Sequence, residues 1–218
     1  LMIGHVYLYN GAVRDIRRRI ASGELGAIAR IFSLRMNANG NRGDMDVLWA
    51  LAPHDISIIN YWLDDGPLKV SAHGHLNMET GLQDTCRAEL DYGSGRIARL
   101  NLSRRSLQKR RQMVVVGSRR TLVYDDMTPN RPIRIFEHRS GGAFEGVSPE
   151  AVDDFLARAA HELPVEAVAV NEPLQAEIQE FVDCLIEDRT PLSDGRHGVG
   201  TVSVLESLAR SARQSGGS

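Results

Sequence analysis

One histidine, His54, lies in a setting that suits proton transfer from a substrate hydroxyl. It follows a polar loop and belongs to a segment, 47–63, whose apolar spacing predicts a helix. Because proline is tolerated only in a first turn, Pro53 places the regular start near residues 50–52. Partial positive charge at a helix N-terminus would keep the imidazole neutral and able to accept a proton. A histidine that only caps or packs is the alternative.

Polar side chains near this helix are candidate contacts for a polyol or a sugar phosphate. The loop from 37 to 44 contains only polar residues, glycine and alanine. Arg42 offers a planar guanidinium fork that suits phosphate or carboxylate, and polar loop residues often bind ligands. An ordinary polar loop is the alternative. The candidates in the loop and at the end of the first apolar segment are Asn37, Asn39, Asn41, Arg42, Tyr9 and Asn10.

Two other patterns are weaker. His73 and His75 are two apart on a predicted strand and share a face, but zinc needs three or four ligands and no third is nearby, so we expect no metal site. Hydrolysis through a metal held by these two and His54 is a remote alternative. A basic run over 104–120 lacks interleaved aromatic residues, so it favours an exposed sheet end or an interface over nucleic acid.

Composition narrows the class of protein. The chain has 218 residues and a formal net charge of −2, which provides no long-range attraction for nucleic acid or an anionic membrane. No apolar run reaches the roughly 20 residues of a membrane span. The two cysteines, Cys86 and Cys184, match no ligand spacing and indicate thiols in a reducing compartment. We therefore expect a cytoplasmic protein with neither nucleic-acid nor membrane partners.

The elements that must position these residues follow from periodicity. Segments 1–9 and 27–36 are predicted strands around a helix at 12–22, a βαβ-like opening. Period-two alternation predicts six strands, and 3.6-residue periodicity predicts further helices at 149–161, 172–187 and 199–213. The six strands are predicted at 68–77, 84–91, 96–103, 111–116, 121–125 and 132–137. The fold class is α+β: an open, mostly antiparallel sheet of about six strands with helices on one face. We expect one domain over 1–218.

Several motifs resemble one enzyme family. The segment VLWALAPHD at 47–55 resembles its Asp-x-x-x-His segment, and SGELG at 22–26 resembles a turn of the family. GHVYLYN at 4–10, VVGS at 115–118 and PLSDG at 191–195 agree in the same order along nearly the whole chain. The chain is thus similar to the C-terminal domain of the glucose–fructose oxidoreductase/inositol dehydrogenase family, closest to its sugar and sugar-nucleotide dehydrogenases.

This resemblance implies hydride transfer from a sugar carbinol to the nicotinamide of NAD or NADP. His54 would act in proton transfer or substrate binding, beside a lysine from a Glu-Lys-Pro segment of a nucleotide domain. The chain contains neither that segment nor a Gly-x-Gly-x-x-Gly turn, so we predict no Rossmann domain here. The cofactor-binding residues stay unassigned, and we expect the chain alone to be inactive. The resemblance also implies a sugar-type ligand and a homo-oligomer formed through the free sheet face.

One departure opens an alternative. Ala50 stands where the family's motif has aspartate, one turn before His54. Alanine can neither orient a substrate nor adjust the charge state of the histidine. The chain is therefore either an impaired or compensated enzyme part, or a non-catalytic oligomerisation or ligand-binding module.

Overall fold

An open eight-stranded sheet organises the chain in a computed structural model that describes residues 1–37, 45–77, 80–138, 160–166 and 171–215. The strands are β1 Ile28–Met36, β2 Lys69–Leu76, β3 Gln83–Asp91, β4 Ile97–Ser103, β5 Arg110–Gly117, β6 Arg120–Asp125, β7 Ile133–His138 and β8 Ala160–Leu163. The helices are α1 Gly11–Ala21, α2 Val47–Leu63, α3 Pro173–Ile186 and α4 Gly195–Ser215. A short 3₁₀ helix, Val6–Tyr9, precedes α1.

The sheet confirms the predicted fold class. Its order is β2-β3-β4-β1-β5-β6-β7-β8, and every neighbouring pair is antiparallel except the parallel pair β1–β4. The six strands predicted from alternation are present. The sheet is larger than predicted because β1 joins it between β4 and β5, and β8 adds to the edge beside β7.

The βαβ-like opening is wrong. Residues 1–9 form no regular strand: Met2 makes one isolated bridge to Asp194, and Val6–Tyr9 is a 3₁₀ helix. Leu8 and Tyr9 are both fully buried, and the backbone N–H groups of Leu8 and Asn10 donate to the carbonyls of His5 and Tyr7 at 2.9 and 3.1 Å, which are the bonds of a tight helical turn and not of a strand pair. The apolar run therefore packs against α1 as a 3₁₀ helix and does not pair with a strand at an edge of the sheet.

The main core lies between the sheet and the helices on one face. Helix α2 crosses over β3 and β4, α4 packs on β2 and against α2, and α1 packs against α2. Trp62, fully buried near the end of α2, donates its indole N–H to the carbonyl of Val13 at 3.0 Å and so ties α2 to α1. This packing fixes α2, and therefore His54, over the sheet.

Part of the opposite sheet face is also apolar and buried. Phe32, Leu34, Val114 and Val123 lie outside the core cluster around α2, yet each is at most 2% exposed within the chain itself. The side chains that we expected another subunit to cover are thus already withdrawn from solvent along these central strands. Homo-oligomerisation through this face stays a prediction.

The C-terminal helices differ from expectation in detail. Helix α3 forms as predicted, whereas α4 begins at Gly195, four residues before its predicted start. The helix predicted at 149–161 falls mostly outside the described residues, and the last two positions belong to β8. In the part of the chain that the structure describes, we find no helix with the length and apolar character to cross a membrane.

Candidate functional site

Helix α2 carries His54, but not at its N-terminus. The helix begins at Val47, so His54 is its eighth residue and Pro53 lies inside the helix. The prediction of a start near residues 50–52 is therefore wrong. Pro53 lies inside α2, which forms although proline provides no backbone N–H for the helix. Because the helix dipole acts mainly within the first turn, it cannot be what keeps His54 neutral.

The environment of His54 lowers its pKa by other means. Burial is the main cause, the positive charge of Arg35 adds to it, Asp55 opposes it, and Arg111 lowers the pKa further. The direction agrees with the neutral imidazole expected from the sequence, but the causes are desolvation and two guanidinium groups. At neutral pH the ring is a proton acceptor.

The imidazole of His54 retains hydrogen-bonding capacity. Its Nδ1 is buried and has no hydrogen-bond partner among the described residues, while its ring meets that of Tyr7 edge-on at 5.1 Å between centroids. A buried polar nitrogen without a partner is destabilising by about 1–3 kcal/mol. The site is thus incomplete without a further hydrogen-bonding group.

A buried ion pair supports the base of the site. Asp55 is fully buried and accepts from the guanidinium of Arg35 at 2.6 Å and from the hydroxyl of Ser33 at 3.0 Å. Both partners lie on β1, two residues apart and on the face toward α2. Sequence reasoning missed Arg35, although its place in the β1 alternation, after Ile31 and Ser33, could have shown that it points toward the core.

A second network lies on the other side of Tyr7. The guanidinium of Arg111 donates to the Tyr7 hydroxyl at 3.0 Å and contacts Asp126 at 3.3 Å. Tyr124 donates to the same carboxylate at 3.1 Å. Burial, and then Asp126, raises the pKa of Tyr124, so this hydroxyl stays protonated. These residues were not predicted, because only the pairing of β5 with β6 and the 3₁₀ helix brings them together.

The carboxylate expected one turn before His54 has no replacement nearby in α2. Ala50 is partly buried and packs against the core. Asp55 is engaged by Arg35 and Ser33, and Asp46 accepts from the backbone N–H of Gln83 at 2.7 Å. These two neighbouring carboxylates are thus committed to the fold.

The predicted substrate contacts occupy different settings. The Tyr9 side chain is fully buried, with its hydroxyl 2.9 Å from that of Ser193. Asn10 caps α1, accepting from the N–H groups of Ala12 and Val13 at 2.8 and 3.3 Å. Asn37 follows β1, and its backbone N–H donates to Ser103 at 2.9 Å. Arg42, with Asn39 and Asn41, lies outside the described residues. All stay predictions, and Tyr9 and Asn10 also hold the fold together.

A cavity of about 570 Å³ opens on the sheet face opposite α2. Gln112, Asp125 and Arg134 line it, and the register of β5, β6 and β7 places them on the same face as Val114 and Val123. The lining contains the basic side chains of Lys109, Arg110, Arg111 and Arg134 and the acidic side chains of Asp125 and Glu162. The sheet therefore lies between this cavity and His54.

Other histidines do not form a metal centre. The described parts of the chain hold no group of three or more histidine, cysteine, aspartate or glutamate side chains that could bind a metal ion. His73 and His75 lie on β2 as predicted. Elsewhere, His5 packs edge-on against His197 at 5.2 Å, and the His197 Nε2 lies 2.9 Å from the Ser57 hydroxyl.

The described residues do not supply a cradle for a dinucleotide. Gly195 begins α4, and Gly198 and Gly200 lie inside it. A Cβ on Gly198 would come within 2.8 Å of Cγ1 of Ile3, so this glycine serves the close approach of the N-terminal segment.

Comparison with known proteins agrees with the fold. The family model described as "Oxidoreductase family, C-terminal alpha/beta domain" matches residues 2–217. No curated protein sequence matches the chain significantly.

Solved structures of similar fold are longer proteins. UDP-N-acetylglucosamine 3-dehydrogenase GnnA from Acidithiobacillus ferrooxidans is 21% identical with a TM-score of 0.80, over 100% of this chain and 64% of that one. Aldose-aldose oxidoreductase from Caulobacter crescentus, complexed with glycerol, is 17% identical with a TM-score of 0.77, over 98% of this chain and 62% of that one. The WlbA dehydrogenase from Bordetella pertussis, in complex with NADH and UDP-GlcNAcA, is 17% identical with a TM-score of 0.70, over 98% of this chain and 61% of that one.

The chain thus spans less than two thirds of these similar proteins, and at such identities the likeness shows the fold alone. The family match, by contrast, covers nearly every residue. The chain belongs to the glucose–fructose oxidoreductase/inositol dehydrogenase family of oxidoreductases, as its C-terminal α/β domain.

Proposed function

We propose that this chain is the substrate-side domain of an NAD(P)-dependent oxidoreductase that acts on a hydroxyl of a sugar, sugar nucleotide or polyol. The observation that carries the proposal is His54: a half-buried histidine with a lowered pKa, whose buried Nδ1 has no hydrogen-bond partner among the described residues. Such a group can accept a proton from a hydroxyl that is being oxidised. When bound, a nicotinamide cofactor would accept the hydride from the carbon that bears this hydroxyl.

The two arginines near His54 define its role. Their charges disfavour an imidazolium, so His54 is ready to take a proton but holds it weakly. Arg35 is fixed by Asp55 and Arg111 by Asp126 and Tyr7, so neither must reorganise when a substrate enters. Preorganised charges of this kind favour the anionic oxygen that forms as a hydroxyl loses its proton.

The cofactor would be bound by another domain. The described residues lack a glycine-rich cradle, and this chain spans less than two thirds of similar chains, one of which is in complex with NADH. We therefore propose that residues 1–218 form one domain that is inactive alone. Cytoplasmic location and the absence of nucleic-acid and membrane partners belong to the same proposal.

Similar proteins supply a first candidate for the substrate class. Two similar proteins are named for, or bound to, UDP-sugars. Sugar nucleotides are therefore the first substrates to test.

The decisive experiment joins the chain to a cognate dinucleotide-binding domain and measures NAD(P)-dependent oxidation of UDP-sugars. His54→Asn should lower kcat at least 100-fold with the fold intact, because the proton acceptor is lost. His75→Asn, an exposed histidine on β2, is the matched control and should leave kcat unchanged. Equal activity of the His54 variant and the parent protein would refute the assignment.

A non-catalytic ligand-binding or oligomerisation module is the second candidate, and Ala50 is the observation that favours it. Ala50→Asp in the two-domain protein separates the two readings. A gain in turnover indicates an enzyme impaired at this position. If sugar binding is retained and turnover stays at background in both forms, the module reading holds.

A further inference from the structure

The cavity on the sheet face opposite α2 is a concave site separate from the surroundings of His54. Its volume of about 570 Å³ falls within the roughly 300–1,000 Å³ of small-molecule sites in proteins. Residues of the neighbouring strands β5, β6 and β7 form its floor, and Glu162 of β8 adds to the lining. Because the sheet lies between this cavity and His54, the proposed oxidation makes no use of it.

Cationic side chains dominate the described lining on this face. Arg110 lies two residues from Gln112 on β5 and therefore shares its face. Lys109 and Arg134 also line the cavity. The guanidinium carbon of Arg134 lies 5.4 Å from the centroid of the Phe136 ring, a cation–π contact. This contact holds one cation in place before a ligand enters.

The carboxylates of the lining offset only part of this charge. Glu162 is paired with Arg131, a residue outside the lining, at 2.6 Å. Arg111 is likewise paired with a residue outside the lining, Asp126, at 3.3 Å. Among the described lining residues this leaves the carboxylate of Asp125 against the three cations named above. The resulting net positive charge suits an anionic group, and an arginine fork matches the oxygens of phosphate or carboxylate.

Two hydrogen-bond acceptors lie side by side in the same cavity. Gln112 of β5 is the direct cross-strand neighbour of Asp125 of β6. Gln112 is 6% exposed, and its Oε1 is buried without a hydrogen-bond partner among the described residues. An unpaired buried carbonyl oxygen is unfavourable, so a donor that reaches it stabilises the site. The terminal torsion of glutamine is soft, and the amide can therefore turn toward a donor in the cavity.

Cations for an anion, beside acceptors for hydroxyl groups, select a ligand that carries both. Inorganic phosphate would pair with the cations but would offer few hydroxyl donors, and an uncharged sugar would leave the cations unused. We propose that this cavity binds an acidic sugar, one that carries a phosphate or carboxylate group. The anionic group contacts Lys109, Arg110 and Arg134, and the sugar hydroxyls donate to Gln112 and Asp125. The proposal goes beyond the proposed function and does not depend on it.

The test measures binding to the 218-residue chain by calorimetry. Glucose 6-phosphate and glucuronate are the probes, and they distinguish phosphate from carboxylate; glucose and inorganic phosphate are the references. At least one probe should bind at least tenfold more tightly than both references. Arg134→Gln should weaken that binding at least tenfold, and Lys109→Gln, at an exposed residue, at least threefold. Gln112→Leu should abolish the preference for the probe over inorganic phosphate, because the acceptor for a sugar hydroxyl is lost.

Arg99→Gln is the matched control. Arg99 lies opposite Phe32 of β1 and so on the same sheet face, but it pairs with Glu89 at 2.8 Å and does not line the cavity. This variant should bind the probe within twofold of the parent chain. His54→Asn should do the same, because the sheet separates His54 from the cavity. Melting temperatures close to that of the parent chain show that the variants fold.

The other outcomes overturn the site or separate it from the proposed function. Probe binding no tighter than that of inorganic phosphate shows an adventitious ion only and overturns the proposal. No probe binding, or unchanged binding in both Arg134→Gln and Lys109→Gln, also overturns it. Loss of binding in His54→Asn alone assigns the probe to the candidate active site and overturns it as well. Binding that depends on Arg134 and Lys109, in a two-domain protein that oxidises no sugar, upholds this site and refutes the proposed function.

Discussion

Helices α2 and α3 are both rich in apolar residues, yet the fold treats them in opposite ways. Helix α2 buries ten residues between the sheet and its neighbours, whereas α3 buries two. In α2 even the charged Asp55 is enclosed, while in α3 Phe181 is 47% exposed. Apolar spacing therefore predicts a helix and its apolar face, but it does not predict which part of the protein or which partner covers that face.

The largest expected effect tests how tightly the α2 region is held. Asp55→Asn leaves the buried guanidinium of Arg35 without its counter-charge, which should destabilise the chain by roughly 3–5 kcal/mol. Denaturant unfolding measures the loss. Glu180→Gln, which breaks the exposed pair with Arg189 on α3, is the matched control, and we expect a loss under about 1 kcal/mol. Similar losses in the two variants would contradict the difference in burial between α2 and α3.

A pair of identical truncations compares the two helices directly. Ile56 in α2 is fully buried, and Ile178 in α3 is 56% exposed. Ile56→Ala should cost about 2–4 kcal/mol through lost burial and a cavity. Ile178→Ala should change stability by about 0.5 kcal/mol or less in the isolated chain. A large loss at Ile178 would mean that this chain covers α3 by itself.

The pH dependence tests the buried histidines near the α2 site. Burial, then His197 and His54, lowers the pKa of His5 from 6.5 to about 4. The unfolded chain therefore binds more protons than the folded one between these values, so stability falls as the pH decreases from 6.5 to about 4. We expect His5 to contribute about 3 kcal/mol of that loss. His5→Gln should flatten the profile of unfolding free energy against pH, and an unchanged slope would contradict the assignment.

The smallest effect concerns two glycines of α4. Alanine normally stabilises a helix interior by about 1 kcal/mol relative to glycine. Gly200→Ala meets nothing within 4 Å and should gain about that amount, whereas Gly198→Ala presses on Ile3 and should gain nothing or lose stability. Thermal melts of the two variants measure the difference. Equal gains would show that the N-terminal segment is not fixed against α4.

The sequence predicted more of the fold than of the site. Alternation gave the six strands of the sheet, and 3.6-residue spacing gave α2 and α3, because local periodicity reports which side of an element is apolar. It failed at 1–9, because a short apolar run fits a strand as well as the buried 3₁₀ helix that forms there. The sequence predicted that His54 lies on a helix, but its predicted position at the start of that helix was wrong. The cause of its lowered pKa was not predicted either, since Arg35 and Arg111 are distant in sequence.

What the sequence by itself determined is the family, through motifs along nearly the whole chain, and the elements, through their periodicity. Only the tertiary structure decided that Arg35, Asp55, Tyr7 and Arg111 surround His54, and that the apolar side of α3 faces outward. The reason is that charge proximity and burial depend on distances between segments that are remote in the chain. The sequence shows whether a side chain is apolar or charged. Only the fold determines which apolar or charged groups lie next to it.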